Sequence, residues 1–287
     1  MRIGWIVLTM GNRPLELRDA VDSLTGQLRS GPVLIHVNGA DPNPIVAEFA
    51  GSTNVRVVAS QDNLGVPGGR NAGLDAIGDV DVVGFLDDDA RLLDDSTNDR
   101  LIAAFANDSV AAVALRLVDE QGDTARRHVP RAGAGSVEQP GQVGTFLGGA
   151  CAVRRSAFLD TGGYWAPLEY GHEELDLAWR WINRGFEINY VPDIRVFHPR
   201  TPISRHADGW RLTGRNRVLV ARRNLPNPLG WLHCVVWLVL GVARAPRGCR
   251  RSYVAGWRAG WRREVERAPM SWLTVWRLSR LGRPPIV

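Results

Sequence analysis

The 287-residue chain contains no lysine, and all 35 of its basic side chains are arginine. A phosphate loop of the GK[ST] type is therefore excluded, and the exclusive use of arginine reads as the codon bias of a GC-rich genome. Cysteine is scarce as well. Cys151, Cys234 and Cys249 stand far apart, with no C-x-x-C and no Cys/His ligand spacing. That excludes a disulfide framework and a zinc site and points to reduced thiols. Long apolar runs are also missing: the longest, LGWLHCVVWLVLGVA at 229–243, has 15 residues, against about 20 for a spanning helix. The N-terminal MRIGWIVLTMGNRP has no small-residue cleavage site after an extended apolar stretch, and it reads as a first strand, not a signal peptide.

Acidic residues nearly vanish from the last third. Residues 195–287 hold 19 Arg and 3 acids, a net of +16, whereas residues 1–194 hold 16 Arg and 27 acids, a net of −11. The overall charge of +5 thus hides an acidic body and a basic C-terminal region. A basic region of this kind attracts an anionic partner. The acidic body opposes nucleic acid, so the expected partner is an anionic membrane surface. Arg244, Arg247, Arg250 and Arg251 follow the 229–243 run, and the pairs Trp257/Trp261 and Trp272/Trp276 are interleaved with Arg258, Arg262 and Arg263. This pattern fits short amphipathic helices lying in a headgroup layer; a packed helical subdomain or a homo-oligomer interface is the competing arrangement. The expected division is a first domain over 1–205 and a helical, Arg/Trp-rich extension over 206–287.

What the first 200 residues do contain is an alternation. IGWIVLT (3–9), PVLIHVN (32–38), VRVVAS (55–60), DVVGFLD (81–87) and VAAVALRLV (110–118) are short apolar runs of strand type. Between them, Leu15, Leu17, Ala20, Val21 and Leu24 suit one helix face, GVPGGRNAGLDAI opens a second helix, and a third is expected near 98–107. Residues 119–145 read as loop. FLGGACAVRRSAFLDTGGY follows as a strand feeding a short helix, EELDLAWRWINRG as a helix stopped by Gly185, and EINYVPDIRVFHPR as a strand. The βαβαβ order predicts an α/β fold, a mostly parallel sheet with helices on both faces. Ligands then bind at the strands' carboxyl ends, where Thr9 to Arg13, Asn38 to Asp41 and Asp87 to Asp89 gather.

Asp87, Asp88 and Asp89 at the end of a strand repel one another, and such a cluster calls for a metal ion, arginine partners or water. NLGVPGGRNAG offers flexible backbone, Arg70 and a helix N-terminus, a combination suited to a nucleotide or its phosphates. Together TMGNRP, NLGVPGGRNAGLDA, FLDDDA and GGYWAPLEYGHEELDLAWRWINRGFEINYVPDIRVFH resemble, in this order over about residues 3–200, the family 2 glycosyltransferases of bacterial cell-envelope type. These are inverting enzymes of the GT-A fold, with a Rossmann-like nucleotide-sugar-binding domain.

The resemblance implies roles for individual residues. Asp87 and Asp89 occupy the ends of the DxD motif, and with His198 of VFHP they would hold a divalent metal, Mn²⁺ or Mg²⁺, which neutralises the departing diphosphate. Thr9, Asn12, Arg13, Asn38, Asn63, Arg70, Asn71, Asp87, Asp88 and Gly149 would line the nucleotide-sugar site. The base is the second acid of the Glu173-Glu174 pair, with Glu174 where the family usually carries Asp; Asp176 and Arg180 form a structural ion pair. Trp165 and His172 are the expected acceptor contacts. Val37 stands where the family carries Asp before Asn-Gly, which leaves the base open among uridine, slightly preferred, thymidine and guanosine. The implied function is transfer of a sugar to a hydroxyl of a polyprenyl-linked or envelope glycan acceptor, by a cytoplasmic protein peripheral on the inner face of the cell membrane. A soluble enzyme tailoring a small molecule and a non-enzymatic membrane adaptor are the alternatives. A sugar nucleotidylyltransferase is disfavoured, because the N-terminus lacks a Gly-rich run with a following lysine.

Overall fold

The computed structural model describes residues 1–131, 137–200 and 208–286. Strands β1 (Ile3–Thr9), β2 (Val33–Asn38), β3 (Val55–Ser60) and β4 (Val82–Asp87) alternate with helices α1 (Pro14–Thr25), α2 (Asn43–Phe49) and α3 (Gly65–Ala76). Then come β5 (Arg91–Leu92), α4 (Thr97–Ala104), β6 (Val110–Val118), β7 (Gly141–Gln142), β8 (Ala150–Arg154) and α5 (Arg155–Asp160). They are followed by α6 (Glu173–Asn183), β9 (Glu187–Phe197) and the C-terminal helices α7 (Gly209–Asn224), α8 (Leu229–Arg244), α9 (Arg250–Arg262) and α10 (Trp272–Arg280).

Among the described residues one nine-stranded sheet has the order β3-β2-β1-β4-β8-β6-β9-β5, with β7 added on β9. The expected parallel arrangement holds from β3 to β4. Beyond β4 the sheet is mixed: β8 runs antiparallel to both neighbours, whereas β6 and β9 are parallel. β8 arrives from a long loop and not from a crossover helix, so nothing imposes the parallel direction on it.

The central strands are buried on both faces, which is why their sequences are continuous apolar runs. Trp5, Val7, Val82 and Leu86 face one core with Leu17 and Val21 of α1. Ile6, Val83 and Phe85 face the other with Phe158, Leu177 and Trp181. Gly84 pairs with Trp5 across β1 and β4, and a Cβ there would collide with the indole, so glycine is what admits the buried tryptophan. The expected face of α1 is corrected at one position: Leu15 is 75% exposed. Lying two residues before Leu17 on a helix of about 3.6 residues per turn, it points to the opposite side.

α7 docks on α6 through a buried charge network. Asp176, with no side-chain exposure, holds Arg180 at 2.8 Å as expected and also accepts from Arg223 at 2.9 Å and Asn224 at 2.8 Å. Asp176→Ala strands two cations and should cost about 3–5 kcal/mol in chemical denaturation; a loss below about 1 kcal/mol, the scale of an exposed pair, would contradict that role.

α8 buries His233, Cys234 and Trp237 and turns Trp231, Leu232, Val235 and Val239 to solvent. Among the described residues no helix is long and apolar enough to cross a membrane. Of the tryptophan pairs expected in a headgroup layer, Trp272 and Trp276 face outward. Trp257 and Trp261 do not, because α8 covers them: Trp257 Nε1 donates to the Cys234 carbonyl at 3.0 Å, and Trp261 stacks on Trp231 at 4.5 Å. The expected boundary between 205 and 206 lies outside the described residues.

Candidate active site

The parallel register sets Thr9 beside Val37 and Leu8 beside Asp87, so β1, β2 and β4 end on one rim. There a cavity of about 760 Å³ is lined by Thr9, Asn12, Arg13, Asn38, Asn63, Arg70 and Asp87 to Asp89, all expected donor-site positions. Asn38 is part of its wall: its side chain donates to Asn63 and to the Gly65 carbonyl and accepts from the Leu64 amide at 2.9 Å. Val37 is fully buried in the sheet core and cannot meet a nucleotide base.

The acid triplet is divided among different partners. Asp88 accepts from Thr9 Oγ1 at 2.7 Å and Arg13 at 3.2 Å. Burial pushes its carboxyl up to about 6, against the pull of Thr9 and Arg13. Asp89 lies 2.8 Å from Arg13, and Asp87 lies 3.1 Å from Arg70. Asp87, Asp89 and His198 offer ligand atoms that all lie within 4.8 Å of one another. His198 Nδ1 is 2.9 Å from the Pro199 carbonyl. That carbonyl can only accept, so Nδ1 donates to it and Nε2 is the ring nitrogen turned to the cluster. Nε2 then faces Asp89 at 3.4 Å and Asp87 at 3.8 Å. Three convergent acceptors, two hard oxygens and an imidazole, fit a divalent cation such as Mn²⁺.

Arg70 connects this cluster to a second one. Its Nη1 lies 3.6 Å from Glu174 and 3.8 Å from Glu173. Burial works against the guanidinium charge, yet Tyr164, Asp87, Glu174 and Glu173 hold its pKa above the ordinary value. Burial, reinforced by the charge of Glu174, moves Glu173 upward, and Glu173 Oε2 has no hydrogen-bond partner. Glu174 is less enclosed and accepts from the Gly148 amide at 3.0 Å.

Gly148 and Gly149 thread between the two clusters. A Cβ on Gly148 would collide with Arg70 and Glu174, and one on Gly149 with the Asp87 carboxylate. Gly149→Ala should therefore displace Asp87 and lower metal-dependent turnover about 10²-fold, the scale of a 1 Å misplacement, with little change in melting temperature. Wild-type turnover in this variant would show that Asp87 need not hold its position.

A second cavity, of about 230 Å³, opens beside Glu174 and is lined by His172, with Tyr170 shared between the two cavities. His172 precedes α6 with φ of 74°, and burial holds its imidazole well below the usual range. Three expected positions, Gly149, Asn71 and Trp165, line neither cavity. Asn71 is absent from the donor cavity wall, because its amide donates to the Tyr164 carbonyl at 2.8 Å and accepts from the Tyr164 amide at 3.0 Å. Trp165 lines neither cavity and lies under the Arg223 guanidinium, 4.8 Å from its ring centroid. Residues that sequence reasoning missed include Glu169 and Leu212 around the larger cavity and Thr213, Arg217 and Arg283 around the smaller. For Arg217 and Arg283 the excess of arginine was the sole signal, and it carried no spacing.

Residues 5–162 match the family model described as Glycosyl transferase family 2. The pre-mycofactocin glycosyltransferase of Mycobacterium tuberculosis is 30% identical over 204 residues, which are 67% of this chain and 42% of that protein. The chain thus spans less than half the length of this curated relative. Among solved structures, GalNAc-T7 with UDP, GalNAc and Mn²⁺ superposes with a TM-score of 0.66 at 14% identity, over 92% of this chain and 55% of that one. Staphylococcus aureus TarS 1–349 in complex with UDP-GlcNAc gives 0.63 at 12%, over 89% and 79%. The mannosyltransferase PcManGT from Pyrobaculum calidifontis in complex with GDP-Man and Mn²⁺ gives 0.61 at 18%, over 97% and 79%. The matched segment runs from β1 to the glycines after α5, and the fold around it is that of the GT-A glycosyltransferases: the chain belongs to glycosyl transferase family 2.

Proposed function

We propose that the chain is a metal-dependent, inverting glycosyltransferase that carries a sugar from a nucleoside diphosphate to a hydroxyl of a lipid-linked or envelope glycan at the inner membrane surface. One observation carries the reading: Asp87, Asp89 and His198 converge on one side of the Gly148-Gly149 backbone while Glu174 stands on the other. Nucleotide-sugar complexes of the neighbours TarS and PcManGT support a donor of that class.

The division of labour follows from the geometry. A divalent cation held by Asp87, Asp89 and His198 would supply Lewis-acid neutralisation of the leaving diphosphate. Arg13, held by Asp88 and Asp89, and Arg70, held by Asp87, place fixed positive charge on the same wall. Glu174, across the glycine pair, takes the proton of the acceptor hydroxyl as its oxygen bonds to C1 and the C1–phosphate bond breaks, the electron pair leaving with the diphosphate. Attack opposite the leaving group inverts the anomeric carbon. The Gly148 amide and Arg70 hold Glu174 in place.

The membrane reading is supported by the outward Trp231, Leu232, Val235 and Val239 of α8 and the exposed Arg244, Arg247, Arg250 and Arg251 that follow. A second reading, an acceptor other than an envelope glycan, is favoured by the mycobacterial relative, whose name gives pre-mycofactocin as what it glycosylates.

The test is turnover of UDP-, dTDP- and GDP-sugars by the purified protein with Mn²⁺, Mg²⁺ or EDTA. The expected result is release of one nucleoside diphosphate, suppressed by EDTA. No release, together with no calorimetric binding of any donor, would contradict the proposal.

A further inference from the structure

The cavity beside Glu174 is rich in arginine, and the carboxylate on its wall, Glu174, is engaged by Arg70 and the Gly148 amide. Arg217 and Arg283 both line it, and the Nε of each is buried without a hydrogen-bond partner. Among the described residues neither guanidinium forms an ion pair. Arg217 is held against the Trp237 ring, 3.4 Å from its centroid, a contact that favours a cation but cannot neutralise it. Burial, reinforced by the charges of Arg283 and Arg244, pulls Arg217 down to about 9, while burial alone lowers Arg283. His172 adds a buried Nδ1 with no partner on the same wall. Two partly buried arginines on one cavity wall, neither paired with an acid, form a site that an anion can join. The contrast with the donor side is informative, since every arginine on that wall, Arg13 and Arg70, has its carboxylate.

We propose that this cavity is the acceptor subsite and that it binds an oxyanion, a phosphate carried by the acceptor, between Arg217 and Arg283. The inference rests on the reading of Glu174 as the base. A guanidinium fork suits phosphate oxygens in paired hydrogen bonds. The cavity, about 230 Å³, is smaller than the roughly 300 Å³ at which whole-ligand pockets begin. It therefore takes one end of the acceptor, the end that bears both the phosphate and a neighbouring hydroxyl, and the hydroxyl is presented to Glu174. The phosphate comes either from a soluble phosphoester or from a lipid headgroup.

The probes are inorganic phosphate, glycerol 3-phosphate and dihexanoyl phosphatidic acid, with glycerol as the neutral control. Calorimetric binding is measured to wild type, Arg217→Gln, Arg283→Gln and Arg13→Gln. The expected result is phosphate binding weakened at least tenfold in each of the first two variants and retained in the third, with glycerol silent throughout. Melting temperatures of Arg217→Gln and Arg283→Gln report whether each variant is folded; should one variant fail to fold, the other decides. Tighter binding of dihexanoyl phosphatidic acid than of glycerol 3-phosphate assigns the phosphate to a lipid, and equal binding assigns it to a soluble acceptor. Phosphate affinity unchanged in the folded variants, or absent from wild type, overturns the inference. Donor turnover measured on the same preparations separates it from the glycosyltransferase reading: turnover with no phosphate site removes only the acceptor inference. A phosphate site lost in Arg217→Gln without any donor turnover or binding leaves the oxyanion site standing but removes the reading of the larger cavity and, with it, the acceptor assignment.

Discussion

Glu174→Gln will lower transfer about 10²–10⁴-fold, the range of a positioned general base, while nucleotide binding stays within a factor of two or three. Gln keeps the length of the side chain and an oxygen to accept from the Gly148 amide, which now stands 3.0 Å from Glu174. The properties removed are the capacity to take a proton and the charge that faces Arg70 at 3.6 Å. Nucleotide affinity is preserved because Glu174 lines the smaller cavity and is absent from the wall of the larger. Glu173→Gln provides the contrast. Glu173 is buried, its pKa is raised, and one of its oxygens has no partner, so a neutral amide of the same shape suits its environment and activity should fall far less. Equal losses in the two variants would mean that the pair acts as one charged unit around Arg70, without a separate base.

Asp89→Ala is the second large effect. Asp89 is 6% exposed and lies among Arg13, His198 and Asp87. Its removal would leave a divalent cation with two of the three proposed ligands and free Arg13 from half of its partnership. A Lewis-acid contribution of several kcal/mol corresponds to about 10²-fold or more in rate, and the loss should appear at every Mn²⁺ concentration tested. His198→Ala keeps both carboxylates, so its smaller defect should recover partly as Mn²⁺ is raised. A variant of Asp89 with undiminished turnover would place the ion elsewhere.

How far the sequence revealed this arrangement depends on how local each cause is. β1 and β4 were legible because burial on both faces writes an unbroken apolar run, and α6 because its acids and Gly185 mark both ends. α2, seven residues with prolines at its start, leaves too short a period to detect. The antiparallel entry of β8 is decided by a loop without a crossover helix, which apolar patterning does not encode. At the site, the convergent Asp87, Asp89 and His198 and the glutamate pair are carried by motifs. Asn71 sits inside a motif but is engaged by the backbone of Tyr164. Trp165 looked like a sugar platform until Arg223 of α7 was seen above it. Arg217 and Arg283 belong to no motif; their meaning is that, among the described residues, neither is paired with an acid, a property of packing alone.

The central claim is that the β4 carboxylates and His198 hold a divalent ion where a nucleoside diphosphate binds. Anomalous scattering at the manganese edge, from crystals grown with Mn²⁺ and the nucleoside diphosphate released in the donor panel, tests it most directly. The account predicts a peak bonded to Asp87, Asp89 and His198 and to diphosphate oxygens in the larger cavity. A nucleotide bound there with no peak among those three residues, or a peak at other ligands, would contradict it.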